Sequence, residues 1–194
     1  MKQNFFPVVF IDRDGTINID GGYINDPDNF IMYPYASQAV RMLNVNGFLA
    51  VVITNQSGLA RGFFTEEVMN NIHEKMNNIF KMQGAYIDGL YFCPHDPNAK
   101  IEKYKAVCKC RKPETGLIEN AIKDLPIDTN RMYFIGDKHS DIMAGHKSGC
   151  KTIMVKTGYG KGDLLHKSSK WEVKPDKVCD NLLKAVKIIL ENQV

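Results

Sequence analysis

An apolar run that ends in two carboxylates is the feature that most constrains how this chain folds. Residues 8–11 (VVFI) are all apolar, and residues 12–16 (DRDGT) follow directly. A short run rich in Val and Ile predicts a strand covered on both faces, which is typical of a parallel sheet. An Asp-Gly turn explains Asp14 and Gly15 but leaves Asp12 unexplained. Two carboxylates at the end of a buried strand predict a divalent metal ion between them.

Length and composition favour one globular domain over residues 1–194. The hydrophobic content of 44% and the charged content of 24% are ordinary for such a domain. A net charge of +3 is too small to indicate a nucleic-acid partner. No apolar window is long enough for a membrane span, and residues 1–7 lack the apolar stretch of a signal peptide, so we expect a cytoplasmic protein. No exposed apolar stripe is evident, which favours a monomer.

Alternating strand and helix patterns predict a doubly wound parallel α/β sheet. Further strands are predicted over residues 48–53, 86–92, 131–135 and 150–155. Helices are predicted over residues 36–44, 65–80 with Thr65 as the cap, 117–125, 142–148 and 178–192. The Gly-, Lys- and Ser-rich segment 157–174 predicts a surface loop. A strand, a crossover helix and another buried strand require parallel strands, whose carboxyl ends open into one crevice.

Polar residues follow four of these strands or lie shortly beyond them. They are Asp12 and Asp14, Thr54 and Asn55, Arg111 and Lys112, and Asp137 and Asp141. Carboxylates for a hard metal, a hydroxyl and amide pair and two cations suit phosphoryl transfer, which needs charge neutralisation and an in-line nucleophile. A carboxylate can be that nucleophile and form an aspartyl-phosphate. The chain lacks a Walker-type glycine loop, which disfavours nucleoside triphosphate chemistry of that kind.

A second cluster of metal-binding residue types lies in an irregular stretch between the third and fourth strands. Its members are Cys93, His95, Cys108 and Cys110. Three thiolates and an imidazole form a closed tetrahedral Zn²⁺ set of the structural kind, and a reducing compartment favours a metal over disulfides here. Bound zinc would order the loop of residues 93–110, which has little core of its own, and would thereby fix Arg111 and Lys112.

Four clusters, in chain order, resemble the motifs of the haloacid dehalogenase superfamily of phosphatases. The resemblance rests on Asp12-Arg13-Asp14-Gly15-Thr16, Thr54-Asn55, Lys112 and Gly136-Asp137-Lys138-His139-Ser140-Asp141. It implies that Asp12 attacks phosphorus, and that Asp14 protonates the leaving oxygen and then activates water. It also implies Mg²⁺ bound by Asp12, Asp137 and the main-chain carbonyl of Asp14. Thr54 and Lys112 would grip the phosphoryl oxygens.

The zinc loop and three further segments resemble the family of D-glycero-D-manno-heptose 1,7-bisphosphate 7-phosphatases. The segments are residues 20–23 (DGGY), 55–64 (NQSGLARGFF) and 110–113 (CRKP). This implies removal of the C7 phosphate, giving heptose 1-phosphate for nucleotide-heptose and surface polysaccharide synthesis. The histidinol-phosphate phosphatases share the catalytic motifs and the zinc loop and are the alternative. The chain has no large insertion between the motifs, so it resembles members without a separate cap domain.

The same resemblance implies a set of substrate-binding residues. They are Asp20, Gly22, Tyr23, Asn55, Gln56, Ser57, Arg61, Arg111 and Lys138. The Arg and Lys side chains of this set would meet the second phosphate or the hydroxyls, with Arg offering a bidentate fork. Arg61 is equally compatible with a surface position, and Arg13 is predicted to serve the structure. Asp141 is predicted to support the metal site or to cap a helix. A zinc-organised binding module with idle motifs is disfavoured because every catalytic position is filled.

Overall fold

Six parallel strands form one sheet in the computed structural model, which describes residues 4–191. The strands are β1 (Phe6–Ile11), β2 (Leu49–Asn55), β3 (Gly89–Cys93), β4 (Ile127–Gly136), β5 (Lys151–Val155) and β6 (Lys177–Cys179). Their order across the sheet is β3-β2-β1-β4-β5-β6, and every neighbouring pair is parallel. The predicted doubly wound α/β sheet is therefore confirmed, and five of its strands overlap the predicted ones.

The order of the strands places the topological switch point at the centre of the sheet. From β1 the chain proceeds outward to β2 and β3, and it then returns to the other side of β1 with β4. Ile11 and Ile135 are register partners near the carboxyl ends of β1 and β4. Asp12 and Asp137 follow these two strands. In open α/β sheets, ligands bind in the crevice outside the strand ends at such a point.

Helices cover both faces of the sheet, which explains why the strands read as unbroken apolar runs. They are α1 (Ala36–Val45), α2 (Gly58–Arg61), α3 (Glu66–Met82), α4 (Gly116–Asp124), α5 (His139–Lys147), α6 (Gly160–His166) and α7 (Leu182–Glu191). Val9 and Ile11 pack in the core that includes α1, α3 and α7. Val8 and Phe10 pack in the opposite core, with α4 and α5. Within residues 4–191 all six strands belong to one sheet.

The long helix α3 begins and packs as its sequence predicts. The Thr65 hydroxyl accepts a hydrogen bond from the Val68 amide at 3.3 Å, so the predicted cap is confirmed. The residues that α3 buries recur at helical spacing and are Met69, Ile72, His73, Met76 and Phe80. Four are apolar, as a core-facing stripe requires. His73 is the polar member of this stripe.

The segment 157–174 lies at the surface as predicted, but it is not a loop throughout, because it contains α6 and a 3₁₀ turn at Ser168–Lys170. The composition has low helix propensity, so tertiary contacts hold this segment. Gly160 lies so close to the carbonyl oxygen of Val155 that a Cβ would overlap it. The ring of Trp171 stacks on His139 with centroids 4.3 Å apart. The segment thus packs against the helix that begins beside the site.

The closing helix begins later than predicted. Residues 177–179 pair with β5 as β6, because extended backbone there completes the edge of the sheet, and α7 begins at Leu182. The predicted end at Asn192 lies outside the described residues. Helix α5 begins three residues earlier than predicted, since the Asp141 carboxylate accepts from the Lys138 amide at 3.0 Å. Among the described residues, none of the helices is long and apolar enough to cross a membrane.

Candidate active site

Three buried carboxylates and one buried ammonium meet at the switch point. Asp12 follows β1, Asp137 follows β4 and Asp141 lies in the first turn of α5, with carboxylate oxygens within 4.8 Å of one another. The Nζ of Lys112 lies 2.5 Å from Asp12 Oδ1 and 2.7 Å from Asp141 Oδ1. Lys112 also donates to the carbonyl oxygen of Ile53 at 2.8 Å. One fixed cation therefore bridges two of the three acids.

The negative charge of the three buried carboxylates is only partly compensated by Lys112. Burial raises the pKa of Asp12 to about 6, even though Lys112 opposes this. Burial together with the charges of Asp12 and Asp141 raises the pKa of Asp137 to about 8. Burial disfavours the ammonium of Lys112, yet its two carboxylate partners outweigh this and raise its pKa. Within residues 4–191 Asp137 Oδ1 is buried without a hydrogen-bond partner. A hard divalent cation would supply the missing charge and ligand.

Glycines and a backbone amide hold Asp137 in place. Gly15 has a φ of +89°, and a Cβ there or at Gly158 would overlap Asp137 Oδ2. The amide of Tyr159 donates to the same oxygen at 2.7 Å. Asp137 is thus packed between the loop after β1 and the segment before α6. Sequence reasoning missed Gly158 and Tyr159, although the glycine-rich residues 158–162 were a possible signal.

The carboxylate of Asp14 lies in a separate set of hydrogen bonds. Arg13 Nε donates to Asp14 Oδ1 at 3.1 Å, and Arg13 Nη2 donates to Oδ2 at 2.8 Å. Asn18 donates to Oδ1 at 3.0 Å and Gln56 to Oδ2 at 2.8 Å. Burial raises the pKa of Asp14, but Arg13 and the amide donors outweigh it and lower the pKa. The side chain of Asp14 lies outside the cluster of Asp12, Asp137 and Asp141.

A pocket of about 390 Å³ opens above the carboxylates and adjoins a chamber of about 40 Å³ beside Asp12 and Thr54. The larger volume lies within the range of small-molecule sites. Five residues line both cavities, namely Asp14, Asn55, Lys112, Lys138 and Ser140. The outer lining comprises Asp14, Asp20, Gly22, Tyr23, Ile24, Asn55, Gln56, Ser57, Gly58, Phe64, Arg111, Lys112, Lys138, Ser140 and Tyr159. The arrangement fits a compact ligand with one end beside Asp12 and the other near Arg111.

The four predicted zinc ligands meet at one point. The Sγ of Cys110 lies 3.0 Å from the Sγ atoms of Cys93 and Cys108, and 3.3 Å from His95 Nδ1. Donor atoms of a tetrahedral zinc site lie roughly 3.3–3.8 Å apart for bonds of about 2.0–2.3 Å. The atoms, all within 4.8 Å of one another, therefore fit a zinc ion in number and type, and the two Sγ–Sγ distances of 3.0 Å are shorter than this range.

The loop that carries these residues has more packing than its sequence predicts. Ala99 and Tyr104 are buried in a small cluster with Leu59, Ala60 and Met69. The backbone amides at 100 and 101 donate to the carbonyl oxygen of Ala60 at 2.9 and 3.0 Å. The central part of the loop is therefore held by contacts with residues outside it, which the sequence did not predict. The segment that carries the second pair of cysteines leads directly to Arg111 and Lys112.

Named phosphatases are similar to this chain in sequence. A haloacid dehalogenase-like hydrolase family model matches residues 109–185. The D-glycero-beta-D-manno-heptose-1,7-bisphosphate 7-phosphatase of Haemophilus ducreyi is 43% identical over 152 residues, covering 77% of this chain and 83% of that protein. The Escherichia coli K12 protein of the same name is 42% identical over 153 residues, covering 78% and 80%. The chain belongs to the heptose bisphosphate phosphatase family. It is therefore a phosphoric monoester hydrolase.

Solved structures of this family share the fold over nearly the whole chain. A D,D-heptose 1,7-bisphosphate phosphatase from B. bronchiseptica, complexed with magnesium and phosphate, is 30% identical with a TM-score of 0.84. The match covers 96% of this chain and 99% of that one. The corresponding enzyme from Burkholderia thailandensis is 28% identical with a TM-score of 0.67, covering 95% and 98%. The family assignment made from the sequence motifs is confirmed.

Eight of the nine predicted substrate-binding residues line the outer pocket of this family member. They are Asp20, Gly22, Tyr23, Asn55, Gln56, Ser57, Arg111 and Lys138. Arg61 lies outside this lining, where it pairs with Asp96 at 3.1 Å and sits 5.7 Å from the ring centre of Tyr23. It therefore reaches the pocket only through Tyr23.

Two of the predicted substrate-binding side chains form hydrogen bonds with other residues of the site. The Asn55 amide donates to the carbonyl oxygen of Lys112 at 3.1 Å and accepts from its backbone amide at 3.1 Å. The Gln56 amide donates to Thr54 Oγ1 at 2.8 Å as well as to Asp14. These bonds brace the backbone of Lys112 and connect Asp14 to Thr54. A strand-end position alone does not indicate which bonds a side chain makes.

Lys138 and Arg111 bring positive charge to the outer pocket. Lys138 Nζ pairs with Asp20 Oδ2 at 3.0 Å and lies 4.7 Å from the ring centre of Tyr159. Burial disfavours its charge, but the surrounding carboxylates raise its pKa. Arg111 donates to the carbonyl oxygen of His95 at 3.1 Å, which ties it to the loop of residues 93–110, called the cysteine loop below. The pocket therefore combines fixed cations with a partly neutralised acid.

Proposed function

We propose that this chain hydrolyses the C7 phosphate of D-glycero-β-D-manno-heptose 1,7-bisphosphate, giving heptose 1-phosphate for nucleotide-heptose synthesis. The observation that carries the proposal is the pairing of the buried carboxylate cluster with an outer pocket that holds Arg111 and Lys138. A bisphosphate presents one phosphoryl group to the cluster and a second to these cations. The named activity of relatives 41–44% identical supports the same substrate and anomer.

In the first half of the reaction, a bond forms between a carboxylate oxygen of Asp12 and phosphorus while the bond from phosphorus to O7 breaks. Asp14 transfers a proton to the leaving oxygen. The donors around Asp14 favour its ionised form. An incoming phosphate dianion favours the protonated form, so substrate binding and protonation of Asp14 are coupled. Lys112, at 2.5 Å from Asp12, balances charge on the phosphoryl oxygens.

In the second half, water attacks the aspartyl-phosphate and Asp14 accepts its proton. The bond from Asp12 to phosphorus breaks, inorganic phosphate leaves, and the carboxylate of Asp12 is regenerated. The ionised form of Asp14 that the resting site favours is the form this step needs. The hydroxyl of Thr54, which lines the inner chamber, is placed to donate to a phosphoryl oxygen. Gln56 connects this hydroxyl to Asp14 and keeps the two groups in register.

Asp12, Asp137 and the main-chain carbonyl of Asp14 are the groups that would hold Mg²⁺, which supplies charge neutralisation for phosphoryl transfer when bound. Asp137 fits this role because its Oδ1 is buried and has no hydrogen-bond partner in the described chain. Asp141 is engaged by Lys112 and by the Lys138 amide, so we assign it to support of the cluster and capping of α5.

We assign the Cys93, His95, Cys108 and Cys110 cluster to structural Zn²⁺. The four donors leave no open ligand position, which distinguishes a structural from a catalytic zinc site. Arg111 and Lys112 follow Cys110 directly in the chain. An ordered loop therefore holds the guanidinium of Arg111 in the pocket and the ammonium of Lys112 beside Asp12.

The charge of the outer pocket argues against histidinol phosphate as the substrate. An amine-bearing substrate would need an unpaired acid, whereas Asp20 is paired with Lys138 and Asp14 with Arg13. The guanidinium of Arg111, which within residues 4–191 donates to a carbonyl oxygen and not to a carboxylate, favours an anionic group at this end of the ligand. The histidinol phosphatase alternative is therefore not favoured.

Three broader predictions accompany this assignment. We expect residues 1–194 to behave as a single domain, as a monomer and in the cytoplasm, where the cysteine thiols stay reduced. Light scattering on the purified chain tests the monomer. A dimer that persists on dilution would contradict it.

The first experiment measures phosphate release with Mg²⁺ from the α- and β-anomers of heptose 1,7-bisphosphate. Histidinol phosphate, fructose 1,6-bisphosphate and p-nitrophenyl phosphate serve as comparisons, and ³¹P NMR identifies which phosphate leaves. We expect the highest kcat/KM for the β-anomer, with loss of the C7 phosphate. Comparable weak turnover of all five compounds would reject the substrate and leave a phosphatase of other specificity.

A further inference from the structure

Asp14 is exposed to the pocket on one side and bonded to Arg13 on the other. Its side chain is 14% exposed, whereas that of Arg13 is 2% exposed. Arg13 uses Nε and Nη2 for a bidentate pair with the carboxylate, which fixes both the distance and the plane of the two groups. The remaining terminal nitrogen, Nη1, points to another element of the fold.

That nitrogen is 3.0 Å from Nε2 of His73 in helix α3. A guanidinium has five donors and no acceptor, so Nε2 of His73 accepts and the ring carries its proton on Nδ1. Burial and the charge of Arg13 lower the pKa of His73 to about 3, which agrees with a neutral ring. The His73–Arg13–Asp14 chain therefore runs from a buried helix to the pocket.

The position of His73 in helix α3 could be filled by an apolar side chain, so packing alone does not explain a histidine there. It is 7% exposed and lies between Ile72 and Met76 in the stripe that α3 presents to the core. An apolar residue of similar size would fill this position without the cost of burying a polar ring. The Nε2 atom of His73 has a hydrogen-bond partner, because it accepts from the fully buried guanidinium of Arg13, sixty residues away in the sequence.

We propose that His73 is a positioning residue for the phosphatase reaction, which it serves by fixing the plane of Arg13 and thereby aiming the carboxyl of Asp14 at the leaving oxygen. This inference rests on the proposed function, in which Asp14 protonates that oxygen. Without the acceptor, Arg13 keeps its charge next to Asp14 but is free to rotate about its side-chain bonds. Misplacement of a reacting group by about 1 Å costs on the order of 100-fold in rate.

The test compares two leaving groups in variants of His73. His73→Leu removes the acceptor at similar volume, His73→Gln keeps an acceptor, and Met76→Leu is a control on the same buried face. We measure kcat/KM for the heptose bisphosphate, whose alkoxide needs a proton, and for p-nitrophenyl phosphate, whose phenolate leaves without one. We expect His73→Leu to lower the first about 10- to 100-fold more than the second. In His73→Gln, the ratio of the two kcat/KM values should return most of the way to the wild-type ratio. Met76→Leu should leave this ratio unchanged.

Equal losses on both substrates, or failure of His73→Gln to recover the ratio, would overturn the proposal in favour of a purely structural role. A crystal structure of His73→Leu with an unmoved Asp14 carboxylate would do the same. If His73→Leu does not fold, Arg13→Lys, which keeps the charge but loses the fork, is measured for the same ratio. Failure of the substrate proposal is a separate result, because the wild-type protein would then prefer another alkyl phosphate over the heptose bisphosphate. The ratio of kcat/KM values would in that case be measured with that alkyl phosphate and p-nitrophenyl phosphate.

Discussion

The two candidate metal clusters of this protein are built in opposite ways. The carboxylates of Asp12, Asp137 and Asp141 come from the ends of two central strands and from helix α5, and all three are buried. The thiols and imidazole come from the end of the edge strand β3 and from one loop, and three of the four residues are partly exposed. The sheet positions the first cluster, whereas the second depends on the path of a single loop. We therefore expect the first to keep its shape without metal and the second to need its ion.

Lys112 connects the two clusters. It lies two residues beyond Cys110, and its ammonium sits between Asp12 and Asp141. Removing one partner of a buried ion pair costs about 3–5 kcal/mol because a charge is left uncompensated. A disturbance of the cysteine loop therefore reaches the carboxylates through this residue. The following predictions test this contrast, from the largest expected effect to the smallest.

Asp12→Asn should abolish turnover while the fold persists. The amide cannot form the aspartyl-phosphate, so we expect a loss in kcat of about 10⁴-fold or more. The melting temperature should stay level or rise, because one of three crowded carboxylates is gone and Lys112 keeps Asp141. Phosphate release and thermal unfolding measure the two effects. The exposed Glu172→Gln is the control, and wild-type activity in Asp12→Asn would contradict the covalent mechanism.

Cys108→Ser should destabilise the protein and lower its activity together. Loss of a ligand removes the zinc that orders the loop, so Lys112 and Arg111 lose their fixed positions. We expect about one zinc per chain in wild type, almost none in the variant, and a fall in kcat/KM of roughly 10- to 100-fold.

Metal analysis, thermal unfolding and kinetics are measured side by side, with Cys150→Ala as a control at a buried cysteine outside the cluster. Withholding Mg²⁺ without a chelator should stop turnover with a much smaller change in melting temperature. If zinc loss leaves stability unchanged, the contrast between the two clusters fails.

The magnesium-free protein should lose stability as the pH rises from about 4 to 8, because Asp12 and Asp137 together outweigh His73, whose lowered pKa acts in the opposite direction below pH 6.5. Burial raises the pKa of Asp12 to about 6 and that of Asp137 to about 8, so the folded state binds more protons than the unfolded state in this window. The contribution of these groups to the free energy of unfolding therefore falls with rising pH. Thermal unfolding without Mg²⁺ at pH 5 and pH 8 measures it. Added Mg²⁺ should stabilise more at pH 8, and Asp137→Asn should flatten the dependence.

Arg61→Ala should have the smallest effect, on KM alone. Arg61 joins Asp96 of the cysteine loop to Tyr23 of the pocket wall, and its side chain is 44% exposed. Asp96 is buried and also accepts from the Asn98 amide, so it keeps a donor when Arg61 is removed. An ion pair whose cation is exposed contributes about 0–1 kcal/mol, which corresponds to a change in KM of up to roughly fivefold for the bisphosphate. The KM for p-nitrophenyl phosphate should not change. A large fall in kcat would show that Arg61 reaches the substrate directly.

The sequence alone determined the strands that bear the site and the residue types at their ends. Apolar runs at residues 8–11 and 48–53 predict buried parallel strands because both faces of such a sheet are covered. The carboxyl ends of parallel strands converge, so Asp12, Asp14, Thr54 and Asp137 could be assigned to one crevice. The spacing of Cys93, His95, Cys108 and Cys110 was sufficient to predict their meeting, since all four lie in one short segment.

Only the tertiary structure decided which partners each of these side chains has. Periodicity reports which face of an element is buried, but it carries no information about a contact between distant segments. His73 reads as one more position of a core-facing stripe, and Gly158 reads as part of a loop, until the fold brings them to Arg13 and Asp137. The strand β6 and helix α6 were missed for the same reason, because pairing with β5 and close backbone packing override weak local propensity.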